Sequence, residues 1–121
     1  MNINEFIQKY RKCEEIAPDV TSCHTPHVMC DDGFTMSVQA GPSLYSRPRD
    51  VADSYESVEV GFPSEDEPLL SNHGYEDQPN CGIFAFVPCS IVDEIIEKHG
   101  GIDVEFHNEV TTEHRYRRLH E

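Results

Sequence analysis

Apolar residues recur at steps of three and four positions in two parts of the chain, the spacing of a helix with one buried face. Near the N-terminus this spacing predicts a helix that is capped near Asn2 or Asn4 and ends at Pro18. Its apolar positions are Ile3, Phe6, Ile7, Tyr10, Cys13 and Ala17. A second helix is predicted from Pro88 to the pair Gly100-Gly101, with Ile91, Val92, Ile95, Ile96 and His99 on its apolar stripe.

Alternation of apolar and polar residues predicts strands, because successive side chains of a strand point to opposite faces. In residues 33–40 the apolar positions are Phe34, Met36, Val38 and Ala40, and the polar ones are Thr35, Ser37 and Gln39. In residues 56–62 the expected inward positions are Val58, Val60 and Phe62, and the outward ones are Ser57, Glu59 and Gly61. Ile102, Val104 and Phe106 alternate with Asp103 and Glu105, which predicts a last strand. Residues 82–87 are apolar after Gly82, as in a central strand covered on both faces.

These elements predict an α+β fold with a single domain over residues 1–107. A mostly antiparallel sheet of about four strands is packed by an N-terminal helix and by a second helix near Pro88-His99. Residues 108–121 are predicted to be a polar C-terminal extension, and residues 41–55 and 63–80 are predicted loops, rich in Pro, Ser, Gly and Asn. A chain of 121 residues, 37% of them hydrophobic, has room for one core.

Negative charge is concentrated in one part of the sequence. Of the formal net charge of −14, the window from Asp50 to Glu97 holds −12, because it contains 12 acidic residues and neither Lys nor Arg. Apolar residues interleave with the acids, so a folded scaffold is predicted to display them. An ordered field of carboxylates repels nucleic acid or imitates it, and imitation suits a protein that occupies a basic groove on a partner. The predicted partner-binding residues are Asp50, Asp53, Glu56, Glu59, Glu65, Asp66, Glu67, Glu76, Asp77, Asp93, Glu94 and Glu97.

Cysteine and histidine supply a candidate metal site. Two thiols and two imidazoles lie within eight residues, at Cys23, His24, His27 and Cys30, and all are good zinc ligands. The spacing is not that of a zinc finger, however, so loop histidines beside an unpaired or core thiol are the favoured interpretation and no cofactor is expected. The five cysteines, at positions 13, 23, 30, 81 and 89, are odd in number and irregularly spaced, which indicates reduced thiols.

Sequence motifs for catalysis are absent. The chain has no Gly-rich phosphate loop, no dinucleotide fingerprint and no nucleophile elbow, and Asp31-Asp32-Gly33 is predicted to be a turn because it lacks the later ligands of a calcium loop. A non-enzymatic role is therefore favoured.

Basic residues lie outside the acidic window. They cluster at Lys9, Arg11 and Lys12, at Arg47-Pro48-Arg49, which is interpreted as a local counter-charge or contact, and at Arg115, Arg117 and Arg118. The overall charge argues against direct binding of nucleic acid.

No apolar run approaches the roughly 20 residues of a membrane span, and the N-terminus lacks the pattern of a signal peptide, so no membrane contact is expected.

Three segments, residues 30–40, 55–63 and 99–102, resemble parts of small uncharacterised proteins encoded by tailed bacteriophages. The resemblance implies a setting, the cytoplasm of an infected bacterial host, and a role in binding a host protein. An acidic protein in that setting is similar in character to the DNA-mimicking inhibitors of restriction and CRISPR systems. No catalytic residue comes with the resemblance.

Three functions are therefore considered. The first is a non-enzymatic phage protein that inhibits a host defence protein by presenting an acidic surface to its basic nucleic-acid-binding groove. The second is a small zinc-stabilised interaction module, and the third is a small enzyme that acts on a host signal. The partner and the oligomeric state stay open at this stage.

Overall fold

Two antiparallel sheets and two main helices form the α+β fold that the sequence predicts. The computed structural model describes residues 1–73 and 82–111, so the predicted binding residues Glu76 and Asp77 and the basic segment near the C-terminus lie outside the described residues. In chain order the elements are α1 (Ile3–Tyr10), β1 (Lys12–Ala17), β2 (Val20–His24), β3 (Val28–Met29), β4 (Thr35–Gln39), β5 (Ser57–Gly61), a 3₁₀ turn (Pro68–Leu70), β6 (Ile83–Pro88), α2 (Cys89–Lys98) and α3 (residues 104–111). None of the helices in this part of the chain is long and apolar enough to cross a lipid bilayer.

The helix α1 begins as predicted but ends seven residues before Ala17. Oδ1 of Asn2 accepts the N–H of Glu5, and the N–H of Asn2 donates to the Glu5 carboxylate, so Asn2 caps the first turn. The buried face carries Ile3, Phe6, Ile7 and Tyr10. The predicted continuation to Pro18 is wrong, because Arg11 is extended. The Arg11 guanidinium donates to the carbonyl oxygens of Ala40 and Ala52, and these tertiary bonds turn the chain out of the helix.

Residues 12–24 form a hairpin closed by a disulfide. Cys13 lies opposite Cys23 in the register of β1 and β2, and their sulfur atoms are bonded. The expectation of reduced thiols is therefore wrong for this pair, while Cys30 and Cys89 are free and buried. Ten residues separate the two half-cystines, so only the pairing of the strands brings them together. Every residue of β1 is exposed, and the hairpin leaves the body of the domain at its disulfide end.

The main sheet has the order β3-β4-β5-β6, and all its strand pairs are antiparallel. Its predicted core face is confirmed at Met36, Val38, Val58 and Val60, which are fully buried. The predicted outward face is not solvated, because Ser37, Gln39 and Ser57 are buried as well. The Gln39 side chain bonds both the N–H and the carbonyl of Thr25, so the segment after β2 covers one end of this face. Phe62, predicted to face inward, is 59% exposed.

Two further strand predictions are wrong. β6 is an edge strand whose residues are mostly half-buried, and not a central strand covered on both faces. Residues 104–111 are helical, and Ile102 contributes only an isolated bridge to Cys30. The Asp103 carboxylate accepts the N–H of Phe106, so Asp103 caps a helix at the point where alternation predicts a strand. This helix turns His107 into the core against Phe6.

The core lies between the sheet and the helices α1 and α2. It contains the buried faces of both helices, and α2 contributes Val92, Ile95 and Ile96, as its predicted stripe requires. The predicted position of α2 is confirmed, with Pro88 as N-cap and Gly100-Gly101 following its last turn. Asp93 connects the two helices, since its Oδ1 accepts the N–H of Ile3 at 2.8 Å. The middle of α2 is thereby fixed relative to the first turn of α1.

Candidate functional site

A buried histidine at the end of α2 connects three acidic segments of the chain. Nδ1 of His99 lies 2.6 Å from Oδ2 of Asp32, and its Nε2 lies 3.2 Å from Oε2 of Glu67. Oε1 of Glu65 lies 3.8 Å from the same Nδ1. The ring of Phe34 stacks on the imidazole with centroids 4.0 Å apart and planes 6° from parallel. The turn after Cys30 and the loop before the 3₁₀ turn are thus both held against α2.

Glu67 is an internal residue. Its side chain has no exposed surface, and its carboxylate accepts two bonds from Nζ of Lys98, at 2.9 and 3.1 Å. It also accepts the N–H of Leu69, which caps the 3₁₀ turn. The prediction that Glu67 meets a partner therefore has no support in its position, because all of its contacts are made within the domain.

Electrostatics favour a charged His99. Burial alone lowers the pKa of His99, but the bonds to Asp32 and Glu67 and their negative charge outweigh it and raise the pKa above its usual value. The N–H of Phe34, which Asp32 accepts, and the imidazole hold the pKa of Asp32 below its usual value. Burial alone raises the pKa of Glu67, yet the bonds from Lys98, Leu69 and His99 lower it overall. These directions favour pairing of a protonated His99 with the carboxylates of Asp32 and Glu67.

The chemistry available to this cluster is limited. Both ring nitrogens of His99 are engaged by carboxylates, so neither is free to take a proton from a substrate. The ring face is covered by Phe34. The arrangement holds two loops against α2 and leaves the carboxylates of Asp32 and Glu65 exposed at its edge.

Exposed carboxylates surround the buried histidine. Asp32 and Glu65 have side chains that are 48% and 64% exposed, and Asp31 lies over the glycines that follow α2. The same glycines line an open cavity of about 440 Å³, together with Asp93 and Glu97. We call the five residues Asp31, Asp32, Glu65, Asp93 and Glu97 the His99 acidic surface. Asp66 follows Glu65 and is exposed as well.

The other predicted binding residues lie towards the opposite end of α2. Glu56 accepts, through its carbonyl, the N–H of Cys89 at the start of the helix. The carbonyl of Asp53 accepts a bond from Gln8 of α1, and Asp50 is exposed in the same loop. A helix of 10 residues is about 15 Å long, well beyond the screening length of about 8 Å at physiological salt. Within the described residues, the loop that carries Asp50 and Asp53 therefore does not share a surface with the loop at Glu65.

Two predicted positions have intermediate settings. Glu59 is half-buried, and its Oε1 lies 3.4 Å from the N–H of Tyr45. Glu94 is exposed on α2, one helical turn before Lys98. Neither belongs to the His99 acidic surface.

The predicted zinc ligands are not assembled. Cys23 is bonded to Cys13 and has no thiolate to offer, while His24 and His27 are exposed. Cys30 is buried, and burial, followed by the charges of Asp32 and Asp31, raises its pKa to about 11. Within residues 1–73 and 82–111, no three His, Cys, Asp or Glu side chains are grouped to hold a metal ion.

Sequence reasoning missed the residues that organise this site. Asp31 and Asp32 were interpreted only as a turn, and His99 only as the last position of an apolar stripe. A signal was present, since a histidine on a core-facing stripe needs polar partners in the interior. The identity of those partners is not visible in sequence, because Asp32 and Glu67 lie 67 and 32 residues away.

Comparisons with protein-family models, with curated proteins and with solved structures find no match.

Proposed function

We propose that this chain is a non-enzymatic binding protein that presents the His99 acidic surface to a basic, nucleic-acid-binding surface of a partner protein. The observation that carries the proposal is the convergence of carboxylates from the turn after Cys30, the loop at Glu65 and the helix α2 around one end of that helix. Two of these carboxylates are held in place, Asp32 by the imidazole of the buried His99 and Asp93 by the N–H of Ile3. A preorganised charge array binds at a lower entropic cost than a flexible one.

The spacing of the carboxylates supports recognition of a basic surface. Charges that lie within a screening length of one another add their potentials, and Asp32 and Glu65 both lie within 4 Å of the same ring nitrogen. His99 and Lys98 offset part of this charge, but the carboxylates of Asp31, Asp93 and Glu97 have neither of these cations as a partner. A surface of this kind steers association with a basic groove and competes with the phosphates that the groove would otherwise bind.

The setting is part of the proposal. The resemblance to small phage proteins favours a host defence protein as the partner, in the cytoplasm of an infected bacterium, and inhibition of restriction or CRISPR interference as the outcome. The zinc-stabilised module and the small enzyme have no comparable support among the described residues, because Cys23 is in a disulfide and both nitrogens of His99 are engaged.

A matched pair of charge reversals tests the proposal. Glu65→Lys with Glu97→Lys changes the His99 acidic surface by four charge units and leaves Asp32 and Glu67 on the histidine. Asp50→Lys with Asp53→Lys makes the same change at the other end of α2. We expect the first variant to lose relief of restriction or CRISPR interference in infected cells, and the second to keep it.

Binding provides the second readout. The wild-type protein, immobilised and exposed to host extract, is expected to retain a nucleic-acid-binding protein that an excess of duplex DNA releases. The variant with Glu65→Lys and Glu97→Lys should not retain it. Equal retention by both reversal variants, or retention that duplex DNA does not affect, would contradict the proposal.

A further inference from the structure

A second surface, away from His99, combines two arginines with two aromatic rings. The guanidinium carbon of Arg47 lies 5.0 Å from the ring centroid of Phe86, and that of Arg49 lies 5.4 Å from the ring centroid of Tyr45. The two rings contact each other edge to face, with centroids 5.8 Å apart. The four side chains therefore form a continuous row, Arg47–Phe86–Tyr45–Arg49, which we call the arginine-aromatic row.

The backbone is distorted where it presents Phe86. Val58 pairs with Val87 and Val60 pairs with Phe84, so Ala85 and Phe86 together oppose the single residue Glu59 in a β-bulge. Phe86 has a φ of 51°, in the left-handed region that a bulky side chain rarely adopts. Its N–H donates to the carbonyl of Tyr45, which fixes the distorted conformation beside the second ring. A bulge re-aims a side chain, and here it turns an aromatic ring of an edge strand towards Arg47.

The arginines of the row differ from the structural arginine of this fold. Arg11 also stacks on a ring, that of Tyr55, but its guanidinium donates to three oxygens of the domain. Arg47 and Arg49 are exposed, and neither is ion-paired with a carboxylate of residues 1–73 and 82–111. Arg49 donates from Nε to the carbonyl of Leu44, which orients its guanidinium. Among residues 1–73 and 82–111, Glu59 is an acidic residue that contacts the row, since its Oε1 accepts the N–H of Tyr45.

We infer that the arginine-aromatic row binds a short stretch of single-stranded nucleic acid. A guanidinium stacked on a ring keeps its outer face for a base and its N–H edge for a phosphate oxygen. Aromatic rings and arginine planes that alternate along a surface are the elements by which proteins bind unpaired bases without reading their sequence. A partner that offers only carboxylates would bind the N–H edges of the two guanidinium groups. It would make no use of the Phe86 ring that the β-bulge positions. The inference rests on residues outside the His99 acidic surface and does not depend on the proposed function.

The net charge of −14 limits the extent of this binding. Acidic side chains elsewhere repel a long strand, so contact is confined to the row and to about two phosphates. For two phosphates on a single strand, the logarithm of the binding constant should fall with the logarithm of salt concentration with a slope of about −1.4. A much steeper slope would mean a diffuse electrostatic contact, which would contradict the inference.

The experiment measures fluorescence anisotropy of a labelled twelve-nucleotide oligothymidylate at low salt. The wild-type protein should bind, and Arg47→Gln with Arg49→Gln should weaken binding at least tenfold. Phe86→Leu keeps an apolar side chain and removes the ring, so it should weaken binding about fivefold or more. Lys9→Gln with Lys12→Gln removes the same positive charge from exposed positions elsewhere and should leave binding unchanged.

Three results would overturn the inference. They are no saturable binding by the wild-type protein, an equal loss in the Lys9 and Lys12 double variant, and displacement of the oligonucleotide by polyglutamate at equal charge concentration. The last result would assign the row to an acidic protein segment.

The variant with Glu65→Lys and Glu97→Lys is expected to keep oligonucleotide binding, so failure of the proposed function and failure of this inference are distinguishable. Urea unfolding of each variant verifies that it is folded.

Discussion

Oδ2 of Asp32 and Nδ1 of His99 lie 2.6 Å apart, although 67 residues separate them in sequence. Their contact joins the turn after Cys30 to the end of α2, and the backbone reinforces it, since the N–H of Asp32 donates to the carbonyl of His99. Glu67 contacts the other ring nitrogen of the same imidazole, Nε2. The acidic surface that we propose as the binding site is built around the buried His99, so its properties are testable through this residue.

The stability of the domain should fall as pH rises above the usual pKa of histidine. A group whose pKa is raised by folding contributes its stabilisation fully below its unfolded pKa, about 6.5 for His99, and loses it as pH rises through the folded pKa. We expect the urea midpoint to decrease from about pH 6 to about pH 9. Titration of the His99 ring by NMR should give a pKa above about 6.5.

Asp32→Asn is the matched variant for this prediction. It keeps the shape of the side chain and removes the negative charge that supports the imidazolium. The pKa of His99 should fall in this variant, so the loss of stability between about pH 6 and pH 9 should become smaller and should be complete at a lower pH. A wild-type urea midpoint that stays constant or rises over the same interval would show that His99 is not charged in the native state.

Stability should also fall at acidic pH, because protonation of Asp32 and Glu67 removes their charge from the same cluster. Folding lowers the pKa of Asp32 and of Glu67, so their stabilisation is present above their unfolded values of about 4 and is lost as pH falls through the folded values. The contribution of the His99 cluster to stability should therefore be greatest between about pH 4.5 and pH 6.5, whereas the lowered pKa of the buried His107 reduces stability as pH falls below about 6.5. The urea midpoint measured across this range checks the position of the maximum, and a midpoint still rising above about pH 7 would contradict it.

Glu67 and Glu65 provide a paired test of burial. Glu67→Ala leaves Lys98 and His99 without the carboxylate they share. It should reduce the free energy of unfolding by about 3 kcal/mol. This value is at the lower end of the range for a broken buried ion pair, because Lys98 is half exposed. Glu65→Ala removes an exposed carboxylate and should cost about 0.5 kcal/mol or less. Urea unfolding measures both. Similar losses would mean that Glu67 is not the internal partner described above.

The disulfide between Cys13 and Cys23 predicts a local effect. It closes a short loop, which corresponds to roughly 3 kcal/mol of stabilisation in the chain-entropy account. Because β1 is exposed along its length, reduction should open the hairpin and leave the main sheet folded. Hydrogen exchange should therefore accelerate in residues 12–24 and stay unchanged in β4 and β5.

Peptide mapping without reducing agent checks the connection itself. A fragment joining Cys13 to Cys23 should be found, and it should separate on reduction. Recovery of both cysteines as free thiols from protein purified without reductant would contradict the pairing.

Gly41 should be less replaceable than Gly33. Both have a positive φ, of 146° and 93°, so alanine strains the backbone at either position. A Cβ on Gly41 would also lie 3.2 Å from Cβ of Cys23, whereas nothing lies within 4 Å of a Cβ on Gly33. Gly41→Ala should therefore cost about 1–2 kcal/mol more than Gly33→Ala in urea unfolding. Equal costs would mean that the hairpin does not pack on residue 41.

Local pattern predicted the parts of the fold that depend on neighbouring residues. The cap at Asn2, the stripe of α2 and the inward positions of β4 and β5 follow from propensity and from side-chain periodicity, which act within a few residues. The same rules failed at residues 11–17 and 104–106. In the first case, the bonds of Arg11 and the pairing with β2 outweigh a helical spacing. In the second, the Asp103 cap outweighs alternation.

The sequence by itself determined that this protein carries an excess of negative charge on a small α+β domain, because charge and periodicity are properties of residue order. Only the tertiary structure decided which carboxylates share a surface. It buried Glu67, brought Asp32 to His99, and set the loop at Asp53 against α1 and the loop at Glu65 against the end of α2. The physical reason is that Coulomb interactions depend on distance through space, and those distances are set by long-range packing that no local pattern records.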